Sequence, residues 1–144
     1  MQAFTRSGVL IYAKDMVAMS AFYEAVLAMR VVSADSDHRV LASDDARIIL
    51  HAIPAHIAAE IAIAVPPEPR EEQAIKPMFA VEYIAHAERA VERCGGRLIG
   101  AVWEMSGRLI RDVCDPEGNI VQLLGETAAT GATHGHRSAF HQTP

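Results

Sequence analysis

The chain has 144 residues, 51% of them hydrophobic and 22% charged, with a formal net charge of −5 at pH 7. That length fits a single domain able to bury roughly two-thirds of its unfolded surface. The acidic balance excludes a broad nucleic-acid footprint, which needs clustered Lys and Arg, and no apolar run reaches the length of a membrane span. The most apolar segment, residues 57–65, is interrupted by Glu60 and ends at Pro66-Pro67. The first residues lack the apolar core of a secretory signal, so a cytoplasmic protein is expected. The two cysteines, Cys94 and Cys114, are too few for a disulfide framework and read as reduced core residues.

Residues 9–13 form a short apolar run suited to a buried strand. Asp15 then stands where a helix N-cap belongs. The helix runs to about Met29, with an inward stripe of Met19, Phe22, Tyr23 and Val26 at i, i+3, i+4, i+7 spacing. Residues 30–34 make a second strand, and residues 40–42 and 48–50 a hairpin around Ser43-Asp44-Asp45. In the stretch that follows, residues 57–65 have partial period-two spacing and are read as a further strand, and residues 70–74 as a helical turn. The pattern then returns. Met78-Phe79-Ala80-Val81 leads into a helix with the stripe Ala87, Ala90, Val91 and Cys94. Gly95-Gly96 supplies its left-handed stop, and residues 98–102, 108–113 and 120–124 read as three strands. Asp115-Pro116-Glu117-Gly118-Asn119 makes the last turn. Two copies of one unit facing each other enclose a cleft, and a cleft is where a ligand is sought.

Tyr12-Ala13-Lys14-Asp15-Met16, then Ser20-Ala21-Phe22-Tyr23 with Leu27, and the closing Asp115-Pro116-Glu117-Gly118-Asn119-Ile120-Val121-Gln122-Leu123 resemble motifs of the vicinal oxygen chelate superfamily. That superfamily includes glyoxalase I, extradiol dioxygenases and the fosfomycin- and bleomycin-resistance proteins. The likeness spans roughly residues 7–125. It implies an α+β fold in which two βαβββ modules form a cup-shaped half-barrel sheet, with helices on the outer face and frequent completion by dimerisation. The expected division is a domain over residues 1–126, with modules at about 7–53 and 76–125 and a linker at 54–75. Residues 127–144 form a flexible or partner-docking tail.

Active members of the family hold a divalent metal on the first and last strand of each module, through His and Glu with open positions for substrate. Carried over, the first position falls on Gly8, which has no side chain. A shift of 68 residues places the second on Lys76, a cation without a lone pair. The last-strand positions fall on Gln122 and on Leu50 or His51. His51 and Gln122 are therefore weak candidates for a metal, and the expectation is no cofactor.

The residues expected to bind a ligand are Tyr12, His51, Met78, Trp103, Arg111 and Gln122. Four of these, and Lys76, have a second reading. His51 lines the cup or sits outward, because one residue of register flips the face. Gln122 meets a ligand or a neighbouring strand. Lys76 marks an anion-recognising rim or is solvated. Trp103 stacks on a flat ligand, or caps a core or is buried in a dimer face. One of Arg108 and Arg111 faces the cup, or both are surface charge. His134, His136 and His141 lie on the tail and are read as incidental.

No Gly-rich phosphate loop, nucleophile elbow or metal-binding Cys cluster is present. The leading expectation is a metal-free, homodimeric, small-molecule-binding protein, with Gly8 leaving room in an apolar cup for a planar or amphipathic ligand. The alternative is a metal-dependent glyoxalase-like lyase, isomerase or dioxygenase, using His51, Gln122 and Glu82 or Glu104. A third reading is an interaction module with a closed cup.

Overall fold

The computed structural model describes residues 6–127. The expected tail, with His134, His136 and His141, lies outside the described residues apart from Thr127. Among the described residues no helix is long and apolar enough to cross a membrane.

The first module contains β1 (Gly8–Ala13), α1 (Met16–Leu27), β2 (Arg30–Ala34), β3 (His38–Ala42) and β4 (Arg47–Ala52). A short helix, α2 (Ala55–Ala58), follows. The second module contains β5 (Met78–Tyr83), α3 (Ile84–Arg93), β6 (Arg97–Met105), β7 (Arg108–Cys114) and β8 (Ile120–Glu126). The sheets have strand orders β1-β4-β3-β2 and β5-β8-β7-β6. In each, the first strand runs parallel to the last and the other pairings are antiparallel. This is the α+β arrangement of two βαβββ units that the duplicated sequence implies.

Local chemistry sets the element ends. Asp15 is the N-cap of α1, its carboxylate accepting from Ala18 N at 3.0 Å. Ala28, with φ 52, ends that helix two residues earlier than the sequence suggests. Gly95, with φ 86, turns the chain out of α3. Met19, Phe22, Tyr23 and Val26 are all buried, as the spacing requires. On α3 the stripe is Ala87, Ala90 and Val91, but Cys94 is only half-buried because the helix has ended there.

α1 and α3 pack against each other and against the sheets, so the two modules share one core. Phe22 is fully buried, a gain of about 2–3 kcal/mol over exposure. Its ring approaches Gly96 so closely that a Cβ there would lie 2.5 Å from it.

Two expectations are corrected. Residues 57–65 are not a strand. They begin within α2 and continue as turn and irregular chain, because no sheet edge lies alongside to take up their backbone groups, and β-propensity without a partner does not make a strand. The internal offset also differs. Arg47 N donates to the Ser7 carbonyl at 3.2 Å, and Gln122 N to the Pro77 carbonyl at 2.9 Å. Gly8 pairs with Arg47 and Met78 with Gln122. The counterpart of Gly8 is therefore Met78, not Lys76, which precedes the strand.

Candidate functional site

Alternation sorts each strand into a side facing the helices and an open side. In β1, Gly8, Leu10 and Tyr12 are exposed while Ala13 is buried. In β4, Ile48 and Leu50 are buried and Arg47, Ile49 and His51 are on the open face. In β8, Val121 and Leu123 are buried, leaving Gln122 and Leu124 on that face. The open surface also carries exposed apolar side chains, Met78, Trp103 and Met105 among them.

Five of the six expected residues fall on this surface, in separate groups. Tyr12 and His51 are register partners in β1 and β4, with ring centroids 5.2 Å apart. His51 therefore faces the open side, with His38 of β3 beside it at 4.3 Å between centroids. His38 was not singled out from the sequence. Its signal is a second histidine opposite the first across a hairpin, and that is visible only once the register is known.

Met78 and Gln122 are partners in the second module. Gln122 Nε2 donates to Asp112 Oδ1 at 3.0 Å, and Lys76 Nζ donates to Asp112 Oδ2 at 2.6 Å. Gln122 thus has a hydrogen-bond partner on the neighbouring strand, and Lys76 is an ion-pair partner rather than a lone rim charge. Asp112 organises both and was not anticipated. Trp103 is opposite Ile110 in the β6–β7 ladder and is 42% exposed.

Arg111 is corrected. It pairs in register with Leu123, a core residue, so it lies on the helix side, where its Nε is 3.3 Å from Glu88 Oε2 of α3. Alternation along β7 gives the open side to Asp112 and denies it to Arg111. Arg108 is 3.6 Å from Glu126 at the strand ends.

Two clefts border β1. One, of about 490 Å³, is lined by Ser7, Gly8, Leu27, Met29, Met78 and Phe79. The other, of about 850 Å³, lies between β1 and the inter-module segment, with Leu10, Tyr12, Ile53, Ile61, Gln73 and Ile75 in its wall. Neither is lined by His51, Gln122, Trp103 or Arg111.

The register gives the first- and last-strand positions of the two modules as Gly8, Arg47, Met78 and Gln122. They do not fit a divalent metal: no side chain, a guanidinium, a thioether and an amide hydrogen-bonded to Asp112 make a poor donor set. Nor does Gly8 open room. A Cβ there would lie 2.1 Å from the Arg47 carbonyl oxygen and 2.5 Å from Arg47 Cγ. The glycine allows close approach of β4 rather than of a ligand.

A buried acidic network joins the modules beneath this surface. Asp115 Oδ2 accepts from Tyr23 Oη at 2.7 Å and Asn119 Nδ2 at 2.8 Å, and Oδ1 accepts from the Glu117 and Asn119 amides. Burial pushes the Asp115 carboxyl above the usual carboxylate range, outweighing these four donors. Burial, then the Asp115 charge, pushes the Tyr23 phenol well above its ordinary value. Glu117 accepts from Lys14 N and Asp15 N, each at 2.8 Å, at the entry to α1. Lys14 Nζ also reaches the Ile61 carbonyl. The sequence reading took the Asp115 to Asn119 stretch as a turn. Its two carboxylates also link the modules.

The profile of the glyoxalase-like domain matches residues 8–124. A search of curated proteins finds no match. Among solved structures, the chain is similar to a glyoxalase/bleomycin resistance protein/dioxygenase family enzyme from Burkholderia phytofirmans. The TM-score is 0.60 and the identity 22%, covering 83% of this chain and 96% of that one. It is also similar to a glyoxalase/bleomycin resistance protein from Albidiferax ferrireducens, with TM-score 0.61, 17% identity and coverage of 85% and 98%. A fosfomycin resistance protein from Mesorhizobium loti aligns with TM-score 0.58 and 12% identity, covering 89% and 94%.

Proposed function

The chain belongs to the glyoxalase-like domain family of the vicinal oxygen chelate superfamily, and from that premise we propose that it binds a small planar or amphipathic molecule without a resident catalytic metal. The observation that carries this reading is the set Gly8, Arg47, Met78 and Gln122 at the positions where relatives in the superfamily hold their ion. Such a set offers no carboxylate and no imidazole. The chemistry left to the chain is recognition: apolar contact from Leu10, Tyr12 and Ile75, and polar contact from the Tyr12 hydroxyl. The cleft of about 850 Å³ that they border is within the range that holds small ligands.

A homodimer is part of the same proposal. Leu10, Tyr12, Trp103 and Met105 are each more than 40% exposed, and a second copy laid over them would remove apolar surface from water. Sedimentation should give twice the chain mass.

The test uses 8-anilinonaphthalene-1-sulfonate, a planar amphipathic probe, with Trp103, the sole tryptophan, as donor. We expect saturable energy transfer, unchanged by EDTA and weakened at least tenfold by Tyr12→Ala. Turnover of the methylglyoxal–glutathione hemithioacetal by the protein loaded with nickel or zinc would overturn the proposal in favour of a lyase. So would probe binding that vanishes with EDTA.

A further inference from the structure

His38 and His51 stand directly opposite each other on β3 and β4, close enough for their rings to sit 4.3 Å apart at an interplanar angle of 67°. Cross-strand partners on one sheet face have Cβ atoms about 4.5–5.5 Å apart, and the sheet holds that spacing rigid.

The hydrogen bonds decide which nitrogen of each ring is left over. His51 Nδ1 is 2.8 Å from the Ala52 carbonyl oxygen. A carbonyl only accepts, so Nδ1 carries the proton, and in the neutral ring Nε2 keeps the lone pair. His38 Nδ1 is 3.3 Å from Asp35 Oδ1, so the same assignment follows. Asp35 is itself anchored, its Oδ1 accepting from the Asp37 amide at 2.8 Å and the His38 amide at 2.7 Å.

An imidazole whose Nδ1–H is held by a carboxylate or carbonyl oxygen is the form in which histidine ligates metals through Nε2. Here two such imidazoles adjoin on the open face of one sheet. Two nitrogens about 2.0–2.1 Å from one ion are about 2.9 Å apart in adjacent square-planar positions and about 3.3 Å apart in a tetrahedral site, spacings within reach of rings at this separation.

We propose that His38 and His51 form a binding site for a divalent transition-metal ion, with copper(II) preferred over nickel(II) and zinc(II) as imidazole affinity orders them. The site is distinct from the family's first- and last-strand position, because His51 is four residues along β4 from Arg47, about 13 Å at strand rise. It does not rest on the proposed ligand-binding function. Among the described residues no group of three or more His, Cys, Asp and Glu forms a metal cage. Water takes the remaining positions, with Tyr12 nearby, its ring 5.2 Å from that of His51. Such an open site exchanges its ion readily. Arg39, the charged neighbour of His38, pairs in register with the core residue Leu50 and so faces away from the ion.

The test uses the full chain with His134, His136 and His141 replaced by Gln, so that the tail cannot compete. Copper(II) is titrated calorimetrically, and the complex is read by electron paramagnetic resonance. We expect one ion per chain with hyperfine coupling to two imidazole nitrogens. His38→Gln and His51→Gln should each weaken binding at least tenfold and leave one nitrogen or none, while circular dichroism stays that of the parent. His38 is not in the wall of the 850 Å³ cleft and its ring neighbour is His51 rather than Tyr12, so probe binding by His38→Gln reports separately on the function proposed above. Equal copper affinity in the parent and both variants, or a spectrum without two imidazole nitrogens, would overturn the site.

Discussion

Tyr23, within α1 of the first module, donates its hydroxyl to Asp115 Oδ2 in the closing turn of the second at 2.7 Å, with both residues at 0% exposure. The bond ties the two halves at a point where neither partner can turn to water. Removing the donor leaves an acceptor buried and short of one hydrogen bond.

Tyr23→Phe keeps the ring, and so its T-shaped contact with Phe22 at 5.0 Å, while deleting the hydroxyl. We expect a loss of about 1–2 kcal/mol in unfolding free energy, read as a lower urea midpoint at unchanged slope. A midpoint equal to the parent's would mean that water replaces the hydroxyl.

The pH dependence of Asp115 has a definite sign. Its folded-state value is raised by burial above an unfolded value of about 3.9. The folded state therefore binds the proton more tightly, and the associated stability is fully present below the unfolded value. It is lost as pH rises through the folded one. Measured against Asp115→Asn, which has no such proton, the parent's stability advantage should shrink from pH 3.5 towards neutrality. An advantage that grows with pH would show that the four donors outweigh burial.

Glu117 is 6% exposed and accepts from two consecutive backbone amides, Lys14 and Asp15. A negative charge at the entry to α1 also matches the positive end of the helix dipole. Glu117→Ala strands both amides, and we expect a cost of about 2–3 kcal/mol in thermal or urea unfolding. The exposed Glu71→Ala serves as a control, expected to change stability by no more than about 0.5 kcal/mol.

Gly8→His would restore the imidazole that the family position calls for. Because a Cβ there meets the Arg47 carbonyl at 2.1 Å, the substitution should cost about 1–3 kcal/mol through overpacking and add no metal affinity. A variant of parental stability that binds zinc through the new histidine would show that β4 yields more easily than the close approach implies.

Much of the architecture was legible because it follows from near neighbours in the chain. The stripe of Met19, Phe22, Tyr23 and Val26, the Asp15 cap and the Gly95 stop each depend on a few adjacent residues, and each is found where expected. The alternation of β1 likewise placed Tyr12 on the open face. Arg111 was misassigned because the argument for it lacked the β7 register. Residues 57–65 were misread because strand formation needs a partner that sequence spacing does not supply.

The amino-acid order alone determined that this protein is a repeated βαβββ unit, since helical and strand periodicities, caps and turns are local properties. Tertiary structure decided that Gly8 answers to Met78, that Asp112 rather than Arg111 faces the open side, and that Asp115 and Glu117 fasten one module to the other. Those outcomes depend on register and on contacts between residues about a hundred positions apart, where burial and hydrogen-bond satisfaction select one arrangement from many that local preference permits equally.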